Sequence, residues 1–310
     1  MEQNRNILDI AVMPMEPAHG VRDGSTRATV TAFRQGENLA PLIEALRRHI
    51  TRIEQAQAQF DRPARPRHVP WMMGLPELDR HLPAQGLVQL GLHDVSPRAY
   101  GDAPAAMGFA LALALRRLTD AQERRPLLWC RLAKEEREHG RLYGHGLERL
   151  GLPRARFITI TLKKPQALLW TMEEALKSGA LAIVIGDADA AHADLTVTRR
   201  LSLAAHAGKS AGILTFARTD VPATASQTRW TAAPVASRSP PHDASAPGFP
   251  AWSIELTRAR GGRPGAWILE WHNALHRFSL VPGFSGRTLQ PGADQAGQEA
   301  AQQGPALRAG

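Results

Sequence analysis

Two kinds of apolar pattern alternate along the middle of this chain. Short runs of apolar and β-branched residues are typical of buried strands, and longer stretches with an apolar residue every three or four positions are typical of helices. The pattern predicts strands at 86–92, 126–132, 157–162, 180–185 and 210–217, and helices at 104–118, 135–150, 165–178 and 195–207. Alternation of this kind predicts an α/β fold with a mostly parallel sheet and helices on both faces.

Two details place strands within that sheet. Residues 180–185 are uniformly apolar, which predicts a strand at the centre of the sheet, buried on both faces. Near the end of the pattern, runs at 251–259 and 266–271 flank the glycine-rich turn 260–265. Such a turn between two strand patterns indicates a hairpin, so we expect antiparallel strands at the C-terminal edge.

Outside this region the sequence does not alternate between strand-like and helix-like apolar runs. Apolar residues at helical spacing between 39 and 53 predict an amphipathic helix. Segments rich in Pro, Gly, Ala, Ser or Gln do not provide enough apolar surface to pack. We therefore predict a disordered lead at 1–36, a helix and linker at 37–70, a core at 71–284 with a flexible loop at 232–250, and a disordered tail at 285–310.

Composition narrows the class of protein. Lys and Arg number 38 against 29 Asp and Glu, a net charge of +9, which favours an anionic partner such as nucleic acid, acidic lipid or an acidic protein. The single cysteine, Cys130, excludes an internal disulfide and a cysteine-rich zinc site. The sequence shows no signal-peptide pattern and no apolar stretch of about 18 residues. We expect a soluble, cytoplasmic protein without a membrane partner.

A candidate phosphate loop lies between the first predicted strand and the first long helix, at 91–104. A P-loop requires Gly-Lys-Ser/Thr here, so that amides and the lysine contact phosphate and the hydroxyl binds magnesium. None occurs in this stretch, and Pro104 has no amide proton. Asp102 is placed to cap the helix, and a second anion about 4 Å away would meet repulsion on the order of 4 kcal/mol.

We therefore interpret Arg98, Gly101, Asp102 and Asp187 as a degenerate nucleotide pocket. Asp187 follows the strand at 180–185, where a magnesium-binding carboxylate would stand, but Asp187 and Asp189 also suit a turn at the end of a strand. The alternative is an unusual pocket in which Arg98 replaces the lysine and Asp187 binds magnesium. His93 and Asp94 have no partner at metal-ligand or hydrolytic spacing, so we assign no metal, catalytic residue or cofactor.

Several segments then show a family resemblance. Residues 74–82 followed by 86–90 resemble the run that leads into the first core strand of RecA-like ATPases, which carry a P-loop-type core. Residues 101–113, 168–176 and 227–230 are similar to those of ImuA proteins, degenerate RecA relatives of bacterial damage-inducible mutagenesis cassettes.

The resemblance implies a role in SOS-induced translesion DNA synthesis, beside the Y-family-like protein ImuB and an error-prone C-family polymerase. It does not imply ATP hydrolysis. Arg131, Leu132 and Ala133 stand where RecA has its catalytic Glu, and 215–218 lack the Gln that senses the γ-phosphate.

RecA relatives bind DNA through loops after two of the core strands. In the corresponding regions of this chain the candidate DNA-binding residues are Arg199, Arg200, Lys209, Arg218, Arg229 and Arg238, with Trp230 as a stacking surface. Two purely structural interpretations stay open. Arg199 and Arg200 also fit the solvated face of a helix, and Trp230 also fits a core anchor.

The function that the sequence favours is a non-catalytic adaptor that contacts ImuB, DNA or a second copy of itself. Two other hypotheses stay open: a weak DNA-dependent ATPase with an atypical phosphate loop, and a RecA-like regulator of cell division.

Overall fold

The computed structural model describes residues 10–12, 71–120, 123–239 and 246–281. The strands of this part are β1 (Ile10–Val12), β2 (Gly91–Pro97), β3 (Leu127–Leu132), β4 (Phe157–Leu162), β5 (Ile183–Ala188), β6 (Ala211–Phe216), β7 (Thr228–Pro234), β8 (Ala251–Ala259), β9 (Gly265–His272) and β10 (Arg277–Leu280). The helices are α1 (Pro76–Asp79), α2 (Ala103–Leu118), α3 (Ala133–His139), α4 (Gly144–Arg149), α5 (Pro165–Lys177) and α6 (Leu195–Ala207).

These strands form one ten-stranded sheet in the order β1-β4-β3-β5-β6-β2-β7-β8-β9-β10. The six strands from β4 to β7 in this order run parallel to one another. β1 pairs antiparallel with β4 at one edge, and β8, β9 and β10 continue the other edge as antiparallel strands. The predicted mixed α/β class and the predicted antiparallel C-terminal strands are confirmed.

Helices cover both faces of the parallel strands. Ile183 and Ile185 of β5 pack in one hydrophobic cluster with α2, whereas Val184 packs in a second cluster with α5 and α6. Because successive side chains of a strand point to opposite faces, these clusters lie on opposite sides of the sheet. β5 lies between β3 and β6 and all its residues are buried, as predicted, but it spans Ile183–Ala188 and not 180–185.

The first core strand differs from its prediction. We expected a strand at 86–92 and then a loop, but β2 begins at Gly91 and extends through half of the predicted phosphate loop. All of its residues are buried, including His93, Asp94 and Ser96. A strand with three polar side chains has the hydropathy of a loop, which is why the pattern misplaced it.

Other elements also differ from prediction. The single helix expected at 135–150 is two short helices, because Gly140 adopts φ 83° and ψ 167° at the end of α3. β7 and β10 were not predicted, and β7 includes Ala232–Pro234 of the predicted flexible loop. Three residues of the predicted disordered lead form β1.

The amphipathic helix predicted at 39–53 and the predicted tail at 285–310 lie outside the described residues, so these and the domain boundaries stay predictions. Within the described part, no helix has the length and apolar character needed to cross a bilayer.

Candidate functional site at the carboxyl edge of the sheet

In an open parallel α/β sheet, ligands bind at the carboxyl ends of the strands. The predicted pocket residues fall at this edge. Arg98 directly follows β2, a one-turn 3-10 helix (Tyr100–Asp102) leads into α2, and Asp187 is the second-to-last residue of β5. The edge is therefore the candidate site, and the contacts of its side chains determine what it can bind.

The carboxylate of Asp187 is fully engaged in the protein interior. Its Oδ1 accepts hydrogen bonds from Trp129 Nε1 at 3.0 Å and Thr215 Oγ1 at 3.1 Å. Its Oδ2 accepts from Arg131 Nε at 3.1 Å and from the Leu132 amide at 3.3 Å. Asp187 is thus a buried strand residue, which corrects the interpretation that it belongs to a turn.

Arg131 supplies the charge that balances Asp187. The guanidinium is 1% exposed, its Nη1 donates to the Gly140 carbonyl at 3.1 Å, and its carbon lies 5.7 Å from the Trp129 ring centroid. The charge of Asp187 is therefore already neutralised by a buried cation. The alternative pocket, with magnesium on Asp187, would require this ion pair to break.

The segment between β2 and α2 turns away from that position. The Arg98 amide donates to Ala232 O at 3.1 Å, and Arg98 Nη2 donates to Ser253 Oγ at 3.0 Å, so this side chain follows β7 and β8. Asp102 stands at the N-cap of α2, but its Oδ2 accepts from the Ala99 amide at 2.9 Å and makes no capping bond to α2. The predicted helix cap is therefore wrong, and Asp102 closes the preceding turn instead.

Among the described residues, a small cavity lies at this edge. Its walls are Ala103 and Met107 of α2, Glu135 of α3, Asp187 and Ala188 of β5, and residues 215–217, and its volume is about 10 Å³. That is roughly the space of one water molecule, whereas ligand pockets measure about 300–1,000 Å³. α3 contributes to the closure, because Glu135 is 8% exposed and lies on the cavity wall.

Glu135 is a residue that the sequence interpretation missed. We compared Arg131, Leu132 and Ala133 with the catalytic Glu position of RecA, but the structure places a carboxylate beside Asp187 from two residues further along. The available signal was the spacing of Glu135, Glu138 and His139 on one helical face.

A second buried network lies inside the sheet. Asp94 is fully buried in β2 and accepts hydrogen bonds from Ser226, from Thr224 at 2.5 Å and from Arg229 Nη2 at 3.1 Å. Arg229, a candidate DNA contact, is therefore the counter-ion of Asp94. This network joins β2 to the segment that enters β7.

His93 is held beside that network. Its Nδ1 lies 2.7 Å from Thr228 Oγ1 and its Nε2 lies 2.9 Å from the Val88 carbonyl. Complete burial lowers the pKa of His93 to about 4, against the effect of the Val88 carbonyl, so the ring is neutral at pH 7. His93 is a structural residue of the sheet.

Three of the remaining candidate DNA contacts are buried or paired within the protein. Trp230 is fully buried, packs against Phe109 and donates from Nε1 to Thr228 Oγ1, so it offers no stacking face, which corrects that expectation. Arg200 pairs with Glu173, and Arg238 pairs with Glu270 at 2.8 Å.

Arg199, Lys209 and Arg218 are exposed, without a side-chain partner among the described residues. Lys209 precedes β6 and Arg218 follows it. The two residues therefore lie at opposite ends of this strand, about 20 Å apart.

Comparison with curated proteins identifies relatives of this chain. It is 34% identical over 222 residues to "Protein ImuA" of Caulobacter vibrioides strain NA1000 / CB15N, covering 67% of this chain and 87% of that protein. The same values hold for "Protein ImuA" of strain ATCC 19089 / CIP 103742 / CB 15.

Among solved structures, SulA from Pseudomonas aeruginosa matches 40% of this chain and 97% of its own, at 24% identity and a TM-score of 0.33. That score is too low to support a conclusion. No family model matches the chain.

Proposed function

Because the chain belongs to the ImuA family, we propose that it is a non-catalytic accessory protein of damage-inducible translesion DNA synthesis in the cytoplasm. Its proposed partners are an ImuB-like Y-family protein and an error-prone C-family polymerase. In this proposal a RecA-like core has lost its nucleotide pocket and acts through its surface.

The observation that carries the proposal is the closed carboxyl edge of the sheet. Asp187 is neutralised by Arg131, and the cavity beside it holds about 10 Å³. Strand β2 followed by a short turn and α2, with helices on both faces, supports descent from a P-loop-type core. Closure of the edge supports loss of the activity that such a core would have had.

Energetics disfavour the alternative of a weak ATPase. To bind magnesium, Asp187 would have to leave Arg131 buried without its counter-ion, at a cost of about 3–5 kcal/mol. A micromolar ligand has only about 8 kcal/mol of binding free energy in total. Arg98 would also have to leave Ser253 and turn back over α2. Tight nucleotide binding at this edge therefore requires a rearrangement. The free energy that this rearrangement costs is a large part of the binding free energy of a micromolar ligand.

The test has two measurements on the full-length protein. ATP with magnesium should leave the melting temperature unchanged, with or without single-stranded DNA, and no DNA-stimulated phosphate release should occur. A bound ligand at a hundred times its Kd would stabilise the protein by about 2.7 kcal/mol, a shift of several degrees. An active RecA-type ATPase serves as the parallel control.

In the second measurement, the protein is co-expressed with the ImuB-like protein and the C-family polymerase, with and without residues 286–310. Co-purification of the full-length chain is expected, and the truncation shows whether the C-terminal segment contributes. A melting shift with ATP that Arg98→Ala abolishes would instead establish the weak ATPase. Co-purification with cell-division proteins but not with ImuB would establish the regulator.

A further inference from the structure

α3 carries three potential metal ligands on one face. Glu135, Glu138 and His139 stand at positions i, i+3 and i+4, and one ligand atom from each lies within 4.8 Å of the other two. The cluster is independent of the proposed accessory function, because it requires neither nucleotide nor a protein partner. Carboxylate and imidazole ligands together suit zinc and neighbouring first-row divalent ions.

Two of these ligand atoms are buried without a hydrogen bond. Glu135 is 8% exposed, and both its Oε2 and the Nε2 of His139 lack a hydrogen-bond partner. A buried polar atom left unsatisfied typically costs about 1–3 kcal/mol. The other groups facing them are Lys134 Nζ, 3.7 Å from the other Glu135 oxygen, and the Tyr100 ring, 6.5 Å from the His139 ring. Neither of them satisfies the two orphaned atoms.

The separation of the two orphaned atoms points to a shared ion. Glu135 Oε2 and His139 Nε2 are 3.5 Å apart, longer than the usual N–H···O distance of about 2.7–3.2 Å. Two ligands on one tetrahedral zinc ion, with Zn–N and Zn–O distances near 2.1 Å, lie about 3.4 Å apart. An octahedral ion with the same bond lengths would bring them to about 3.0 Å. The observed spacing fits the tetrahedral case.

We propose that Glu135, Glu138 and His139 bind a divalent transition-metal ion, with zinc as the best fit. Three protein ligands leave one tetrahedral position for water, and Glu135 also borders the cavity that has room for one water molecule. The ion neutralises two carboxylates and ties the first residues of α3 to its last turn. Its role is to stabilise α3 itself, because all three ligands belong to this helix.

The probes are zinc and cobalt ions added to the chelator-treated full-length protein. Calorimetry should give one zinc ion per chain, and cobalt should give the visible absorption of a tetrahedral site. His139→Ala and Glu138→Gln should each weaken zinc binding by more than about 100-fold, since even loss of an outer-shell partner weakens metal sites 10–100-fold. Glu138 is exposed, so Glu138→Gln tests the ligand without disturbing the core.

The matched control is His145→Ala on α4. His145 also lies near a glutamate, with Nδ1 3.8 Å from Glu148 Oε2, but its side chain is 66% exposed and has room to hydrate. This variant should bind zinc like the unmodified protein. The proposal is overturned if the unmodified protein binds no zinc up to millimolar concentration. It is equally overturned if His139→Ala lowers the metal-free melting temperature but leaves zinc affinity intact, which would identify an ion pair only.

Discussion

At the scale of single residues, the buried pair of Arg131 and Asp187 determines what the candidate site can do. A carboxylate at the end of a central strand is a typical metal ligand of nucleotide-binding α/β proteins. Here the same carboxylate accepts four hydrogen bonds from the protein itself. A residue in the position of a functional group has become part of the core.

The pair gives a prediction about stability. Arg131→Met leaves the Asp187 charge buried without a counter-ion and should lower the free energy of unfolding by about 3–5 kcal/mol. The double change Arg131→Met with Asp187→Asn removes both charges, keeps an amide oxygen for the Trp129 and Thr215 donors, and should recover part of that loss. Urea denaturation of the two single variants and the double variant measures the coupling directly.

If the double variant is as unstable as Arg131→Met, the pair is not a closed unit and the charge balance proposed for this edge is incorrect.

At the scale of elements, the sequence located most helices and strands of the parallel part. β4 and α6 match the predicted bounds, and α2, β3 and α5 match within about one residue. These elements have strong apolar periodicity and lie where local pattern and tertiary burial agree.

The sequence mispredicted those elements whose structure depends on residues far away along the chain. Asp94 belongs in a buried strand because Ser226 and Arg229, more than 130 positions away, satisfy its carboxylate. No local pattern contains that information. The ion pair of the candidate site was not predicted for the same reason, since Arg131 and Asp187 are separated by 56 positions.

The end of α3 gives a prediction at this scale. Gly140, at φ 83° and ψ 167°, occupies a backbone region that is accessible essentially only to glycine. Gly140→Ala should therefore lower the free energy of unfolding by about 1–3 kcal/mol, although a new Cβ would meet no atom within 4 Å. Urea denaturation measures the loss.

Gly146→Ala is the matched control, because Gly146 lies within α4 and shows no positive φ. Alanine favours a helix interior by up to about 1 kcal/mol, so this change should be neutral or stabilising. Equal losses from both changes would contradict the expectation that the positive φ of Gly140 is what makes alanine unfavourable there.

At the scale of the whole molecule, stability should depend on pH through the buried His93. Its folded pKa of about 4 lies below the ordinary 6.5, so between these values the unfolded chain binds the proton and the folded one does not. The contribution of His93 to the free energy of unfolding is fully present above pH 6.5 and decreases as the pH falls towards 4. From pH 7 to pH 5 the loss should be about 2 kcal/mol.

Denaturation curves at pH 7, 6 and 5 test this prediction. His93→Gln removes the titrating ring and should flatten the decline, while His145→Gln, at an exposed position, should leave it unchanged. An identical pH profile for His93→Gln and the unmodified protein would show that His93 ionises freely and that β2 opens to solvent.

The order of strands in the sheet also constrains how the chain folds during synthesis. β2 is an early core strand, yet both of its neighbours, β6 and β7, come more than 110 residues later. A ribosome adds about 5–20 residues per second, so β2 waits on the order of ten seconds for its partners. During that time a strand that is entirely buried in the finished protein has neither edge paired. Its buried polar residues, His93, Asp94 and Ser96, then have a second use, because they make the waiting strand less apolar and less prone to aggregate.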